Sequence, residues 1–342
     1  MNPDIKSMLP AELENALSTA GEPKYRSKQI FRWLNAGIRS FDEMTDLPKY
    51  LREYLFENFN FGAPALINKR SSAAGAAEKY LWRLADGNTT ETVVMKYKHG
   101  NAVCISTQVG CRMGCVFCAS SAGGFIRNLE PSEMLDEVIF SEKEFGLHIS
   151  NIVLMGIGEP LDNFDNVIKF IKLINHPDGK NTGMRRISLS TCGLTEKFDK
   201  LSRLNLQLTL SVSLHAADDE TRSALMPVNK TRGTEDLFSA CRNYFRKTGR
   251  RITFEYIMIN GVNDTAEQAK TLTEKLKGMV CHFNLIPYNA VDECSFQPSS
   301  PERLKEFMRI LRGSGINLTV RRSLGSDVQA ACGQLRVKTM QT

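Results

Sequence analysis

From about residue 101 the chain alternates short β-rich runs with helical stretches for about 220 residues, and this alternation constrains the fold most. The β-rich runs fall near residues 103–107, 152–155, 186–190, 207–213, 252–257, 282–286 and 317–320. Helical stretches at 131–145, 164–174, 234–247, 266–276 and 301–311 separate most of them. A helix after each strand carries the chain back to start the next strand in the same direction. The pattern therefore predicts an α/β fold around a parallel sheet, open or closed as a barrel. The unusual polar and Gly-rich segments all follow strands. CRMGCVFC follows the first, GIGEPLDN the second, STCG ends the third, SLHA the fourth, INGVND follows the fifth and PYN the sixth. In barrels of this kind the active site lies at the C-terminal strand face, so these loops describe one large site.

Upstream the pattern differs. Residues 1 to about 60 read as helical, with Ile30, Phe31, Trp33 and Leu34 at helical spacing and a second helix over 47–59 with Pro48 in its first turn. Residues 71–77 read as a loop, and 79–98 as a β-hairpin turning at Asp86-Gly87-Asn88. The expected organisation is a helical accessory domain over 1–75, a β-hairpin linker over 76–100 and a catalytic domain over 101–342. No apolar run approaches the 18 residues of a membrane helix, and the N-terminus lacks the pattern of a signal peptide. A cytoplasmic location without a membrane partner is expected. The net charge of +6 is compatible with an RNA partner without demanding one. Basic residues gather at Lys24, Arg26, Lys28 and Arg32, at Arg246, Lys247, Arg250 and Arg251, and at Arg321 and Arg322. Each group by itself reads as a solvated surface.

Nine cysteines are present, an odd number, and a secreted disulfide scaffold would be shorter and denser in cysteine. Cys104, Cys111, Cys115 and Cys118 crowd together. Cys192, Cys241, Cys281 and Cys294 read as small buried hydrophobes. Cys111, Cys115 and Cys118 form C-x3-C-x2-C, a spacing that lets three thiolates converge on one small metal centre. Three ligands leave a position open, as a reaction centre requires. Cys104 could instead complete a four-thiolate zinc site.

The pattern C-x3-C-x2-C, with Phe117 before the last cysteine, resembles the radical S-adenosylmethionine (SAM) superfamily. Gly158-Glu159-Pro160 resembles that superfamily's SAM-binding GEP motif. The ordered set CISTQVGCRMGCVFCAS, GGFIRNL, MGIGEPLDN, SVSLHA, LMPVN, GVND, NLIPYN and SDVQAACGQL resembles the RlmN/Cfr family of RNA adenine methyltransferases. The match runs from about residue 20 to residue 336. It implies a radical SAM partial (β/α)6 TIM-type barrel, a 4Fe-4S cluster on Cys111, Cys115 and Cys118, and two SAM molecules per turnover.

The resemblance also implies a two-cysteine mechanism. Cys332, in Ala330-Ala331-Cys332-Gly333-Gln334, matches the methyl-carrying cysteine, and Cys104 the cysteine that resolves the protein–RNA link by disulfide formation. By itself Cys332 would read as a small buried cysteine. Glu91 matches the proton acceptor, although a Glu beside a hairpin turn is ordinarily solvated, and Cys104 or water could serve instead. Gly158, Glu159, Ser190, Ser213, Leu214, His215 and Asn289 match SAM-binding positions, with residues 213–215 lining the pocket. His215 reads equally well as a satisfied strand-end histidine. The helical segment with Lys24, Arg26, Lys28 and Arg32 is the candidate RNA-contacting module.

The family holds two activities. Pro160 and GGFIRNL favour RlmN-like members, which methylate carbon 2 of adenosine 2503 in 23S rRNA and of adenosine 37 in tRNA. Cfr-like members methylate carbon 8 and tend to carry Ala at the position of Pro160. A monomer reduced by a flavodoxin-type donor is expected. Two other classes remain open on the residues: a non-catalytic zinc-dependent RNA-binding protein, and a radical SAM enzyme acting on a small molecule or peptide.

Overall fold

The computed structural model describes residues 2–291 and 294–336. Its strands are β1 (Ala65–Ser71), β2 (Ala77–Arg83), β3 (Thr89–Met95), β4 (Asn101–Ile105), β5 (Gln108–Gly110), β6 (Phe125–Asn128), β7 (Ile149–Leu154), β8 (Ile187–Thr191), β9 (Thr209–Ser213), β10 (Ile252–Met258), β11 (Cys281–Pro287) and β12 (Asn317–Val320). The helices are α1 (Pro10–Ser18), α2 (Tyr25–Asn35), α3 (Lys49–Asn58), α4 (Pro131–Phe145), α5 (Phe164–Asn175), α6 (Phe198–Arg203), α7 (Asp219–Leu225), α8 (Thr234–Thr248), α9 (Ala266–Lys275) and α10 (Pro301–Gly313).

One sheet runs in the order β1-β2-β3-β4-β7-β8-β9-β10-β11-β12, and β5 and β6 form a separate antiparallel pair. From β4 through β12 each neighbour in the large sheet is parallel, and β1 to β4 are antiparallel. Each parallel crossover carries helix, and β1 and β12 stand at the two ends of the sheet. The architecture is therefore an open, partial barrel with an antiparallel extension. No described helix is long and apolar enough to cross a membrane.

Side chains alternate across the strands. Ile152, Leu154, Ile187, Leu189, Leu210, Val212, Phe254 and Phe283 share the core with helix residues Val138, Val167, Phe238, Leu272 and Phe307. The cross-strand register puts Cys104, Val153 and Ser188 together on the other, inward face, followed by Ser190 with Ser211 and Ser213 with Glu255. Small and polar inward residues leave room for a site inside the barrel.

Two differences from the sequence reading concern the N-terminal part. Residues 65–71, placed within the helical region, form β1, an edge strand. The expected hairpin, β2–β3, is built into the barrel sheet, because β3 pairs with β4. Pro48 precedes α3 rather than occupying its first turn. The helical region has its own core of Leu13, Leu17, Ile30, Phe31, Leu51 and Leu55. It docks on the barrel through a buried Lys6–Asp136 ion pair of 2.6 Å and through Leu173 of α5.

Candidate active site

The C-terminal strand ends surround a cavity lined by Cys111, Cys115, Cys118, Gly158, Glu159, Ser190, Ser213 and His215. The cysteine loop is pinned where it leaves β5. The Cys111 N–H donates to the Gly124 carbonyl at 2.8 Å, and Gly110 has φ +78°. A Cβ there would lie 1.9 Å from the Gly124 oxygen, so only glycine fits. Further on, Val116 N–H donates to Leu225 and Ala119 N–H to Gly333.

Burial pushes the Cys111 thiol up to about 12, and it pushes Cys115 and Cys118 up as well. Three thiols crowded into one desolvated pocket ionise only with a strong positive charge among them, and an iron–sulfur cluster supplies that charge. Cys104 is not part of this lining, so the donors here are three thiolates, a set that suits a cluster with one open position rather than a four-thiolate zinc site.

Gly158 has φ +105°, and a Cβ there would meet Gln108 at 2.6 Å. Gln108 in turn accepts the Glu159 N–H at 2.9 Å. The Glu159 carboxylate is already engaged: one oxygen accepts from Leu161 N–H at 2.9 Å and the other from Cys192 N–H at 2.7 Å. Glu159 therefore ties the loop after β7 to the end of β8. What this segment can offer a ligand is backbone.

Ser190 and Ser213 line the cavity as expected. Leu214 does not. It is buried in the barrel core, because residues 213 and 215 turn inward and the residue between them turns outward. His215 fulfils both of its readings. It lines the cavity, while Nδ1 accepts the Ile257 N–H at 3.1 Å. Burial pulls its pKa down to about 3, so the ring is neutral. Glu255 was not foreseen. It lines the cavity 3% exposed, accepts from Asn284 at 3.0 Å through Oε1, and leaves Oε2 buried without a partner among the described residues. A buried carboxylate oxygen without a donor fits a ligand bearing ammonium or hydroxyl groups, and SAM carries both.

A second cavity adjoins the first, lined by Cys104, Tyr97, Asn289, Arg321, Cys332 and Leu335 among others. Cys118, Met155, Arg321 and Cys332 belong to the linings of both. Cys332 thus stands between the cluster cysteines and Cys104. The AACGQL segment is fastened on several sides. Asn289 donates to the Cys332 carbonyl at 3.2 Å, Gln334 donates to Ala290 and accepts from Ala331, and Ser120 donates to Leu335. Asn289 lies in the second cavity and holds Cys332, rather than lining the first. Arg321 corrects its reading as solvated surface, because it lines both cavities.

Glu91 departs from the expected solvated position. It is 1% exposed, pairs with Lys79 at 2.8 Å and accepts the Arg336 N–H at 3.0 Å. It lines neither cavity, but lies behind the Cys332 segment.

Sequence reading missed the residues that brace the strand ends. Asn263, from GVND, donates to the carbonyls of His215 and Ile257 and accepts from Ile259. Arg222 is almost fully buried and donates to the carbonyls of Cys192, Ser213 and Leu214. Long-range contacts of this kind leave no local sequence signal. In the helical region Lys24 pairs with Glu14, Arg26 with Glu22, and Lys28 and Arg32 with Asp178.

Comparison with known proteins agrees with this geometry. The family model described as the radical SAM superfamily matches residues 105–272, and that of the ribosomal RNA large subunit methyltransferase N-terminal domain matches residues 4–60. The probable dual-specificity RNA methyltransferase RlmN of Clostridium acetobutylicum is 49% identical over 326 residues, covering 95% of this chain and 94% of the relative. That of Alkaliphilus oremlandii is 49% identical over 338 residues, covering 99% and 98%. The crystal structure of a radical SAM methyltransferase from Sphaerobacter thermophilus superposes with TM-score 0.93 at 42% identity, covering 97% of this chain and 99% of that one.

Proposed function

Because this chain belongs to the RlmN family of radical SAM RNA methyltransferases, which use a 4Fe-4S cluster and SAM, we propose that it methylates carbon 2 of adenosine 2503 in 23S rRNA and of adenosine 37 in tRNA. The supporting observation is the position of Cys332, common to the cavity of the cluster cysteines and the cavity of Cys104. The dual specificity printed for the relatives supports two RNA substrates.

In this reading Cys111, Cys115 and Cys118 hold the cluster. Backbone at Gly158 and Glu159, the hydroxyls of Ser190 and Ser213, and neutral His215 face SAM. When bound, cluster and SAM supply a 5′-deoxyadenosyl radical able to take a hydrogen atom from a methyl group, a reaction that an unactivated aromatic carbon requires. The chain's own residues do the rest. The Cys332 thiolate takes a methyl from SAM by displacement, releasing S-adenosylhomocysteine. The same sulfur later carries the carbon that joins the adenine. Once the adduct has given up the adenine ring proton and one electron, which a bound cluster would take back, the Cys104 thiolate attacks the Cys332 sulfur: the S–S bond forms, the S–C bond breaks, and the released carbon takes up a proton to become the RNA methyl group. Glu91, behind the Cys332 segment, is the proton acceptor once its pair with Lys79 opens.

The helical region, a monomeric state, a cytoplasmic location and a flavodoxin-type reductant belong to the same proposal, with the helical region as the RNA-contacting module. The test is anaerobic reconstitution with iron and sulfide, incubation with SAM, reductant and unmodified 23S rRNA fragment or tRNA, and mass spectrometry of the nucleosides. 2-Methyladenosine supports the reading. 8-Methyladenosine overturns the carbon-2 assignment. SAM cleavage without any methyladenosine overturns the RNA substrates. Cys104→Ala should leave a covalent protein–RNA adduct, and Cys332→Ala should abolish both adduct and product.

A further inference from the structure

Arg222 of α7 is 1% exposed, and among the described residues it forms no ion pair with a carboxylate. Its guanidinium donates to the carbonyls of Leu214 at 3.0 Å, Cys192 at 2.7 Å and Ser213 at 2.9 Å, and to the amide oxygen of Asn229 at 2.8 Å. The nearest acid in this network, Asp219, is reached only through the Asn229 amide, which donates to its Oδ1 at 3.0 Å. A cation left inside a protein with only neutral acceptors is costly, and such charges are normally paired.

The same helix carries the cysteine loop. Val116 N–H donates to the Leu225 carbonyl at 3.1 Å, and Leu225 and Met226 pack with Phe117, Cys115, Cys118 and Cys192. Arg222 therefore lies behind the cavity wall, its guanidinium on the carbonyls of Cys192 and Ser213, both of which line the cavity of the cluster cysteines. A cluster held by three thiolates is anionic, and it becomes more so on taking up an electron.

Resting on the cluster reading above, we propose that Arg222 is the buried counter-cation of the iron–sulfur cluster and sets its reduction potential. It touches neither SAM nor RNA, and acts as a positioning residue through the charge it holds behind the cysteine loop. A positive charge close to the cluster stabilises the reduced form over the oxidised one, because the reduced form bears one more negative charge. The three carbonyls fix the guanidinium in place, and their neutrality leaves its charge uncancelled until the cluster is bound.

The test is redox titration of the reconstituted full-length protein, followed by electron paramagnetic resonance of the reduced cluster, with iron and sulfide counted in each sample. Arg222→Gln should move the midpoint to lower potential, with the reduced-to-oxidised ratio at a fixed ambient potential falling about tenfold, equivalent to about 59 mV for one electron. Arg222→Lys should keep most of the wild-type midpoint. If Arg222→Gln does not fold, the double variant Asp219→Asn with Asn229→Asp replaces it. That exchange keeps the net charge and allows a hydrogen bond between positions 219 and 229 with its direction reversed, but places a carboxylate on the guanidinium. It should lower the midpoint in the same direction. Equal midpoints in the charge-cancelled variants, at equal iron content, would reduce Arg222 to a clamp on strand-end carbonyls and overturn the proposal. A wild-type protein that binds no iron overturns the cluster reading itself.

Discussion

Glu91 of β3 and Lys79 of β2 form a 2.8 Å ion pair on the sheet's inward face, their side chains 2% and 8% exposed. The pair lies under the segment that carries Cys332. Lys79 also donates to the Gln329 carbonyl at 2.8 Å, and Glu91 accepts from Arg336 N–H. Two strands and the C-terminal segment thus meet at one charge pair. Removing the cation alone leaves a buried carboxylate whose charge has lost its Lys79 partner. Lys79→Met should therefore cost about 3–5 kcal/mol in urea unfolding. Glu91→Gln keeps an acceptor for Arg336 and should cost less. Equal small losses would mean that water enters the pair and that it does not fasten the segment.

Cys104 and Arg321 line the same cavity, and their charges are coupled. Burial pushes the Cys104 thiol up to about 12, nearby Cys332 adds to this, and the Arg321 cation opposes it. At neutral pH Cys104 is a thiol. Its alkylation by iodoacetamide in iron-free protein, located by mass spectrometry, should rise about tenfold per pH unit between pH 8 and pH 10 without a plateau. Arg321→Gln should slow the reaction at every pH in that range, because the remaining opposing charge is gone. A plateau below pH 9 would show that Cys104 is activated in the resting protein.

The elements that fixed the site were the ones the sequence showed most clearly. The expected helix at 131–145 is α4, and the expected strand at 317–320 is β12. Both have periodic apolar residues or a flanking proline. The short helices α6 and α7 escaped, because six or seven residues make under two turns and carry too little periodicity. β1 escaped because its residues are intermediate or exposed along an edge, so no apolar alternation marks it. In the site, the cysteine loop and the GEP segment were legible because glycine and cysteine spacing is local. Arg222 and Glu255 were not, since a single buried charge looks like any surface charge until distant strands close around it.

Gly158 offers a separate probe of the SAM side. Its φ of +105° and its approach to Gln108 leave no place for a methyl group. Gly158→Ala must move Gln108, which holds the Glu159 N–H and contacts Asn128 and Asp162. The strain should cost on the order of 1–3 kcal/mol. Displacement of the loop should weaken SAM binding at least about tenfold by isothermal titration, with little change in iron content, since the cysteine loop has its own anchors. Unchanged SAM affinity would remove this segment from the ligand site.

His215 makes a prediction about pH. It has φ +58°, its Nδ1 accepts the Ile257 N–H, and its ring meets Phe117 edge-on at 4.9 Å. Burial holds its pKa at about 3 in the folded protein, against about 6.5 for an unfolded chain. Between these values the unfolded chain binds a proton that the folded protein excludes. The stability contributed by neutral His215 is therefore fully present above about pH 6.5 and is lost as pH falls toward 3. Asn suits a left-handed backbone and offers an acceptor for Ile257, but does not titrate. Urea unfolding of wild type and His215→Asn should then diverge with pH. The wild type should lose stability faster between pH 6.5 and pH 4, by a slope difference of up to about one proton. All other titrating groups are common to the two proteins, so parallel slopes would mean that the His215 ring is solvated enough to protonate in place.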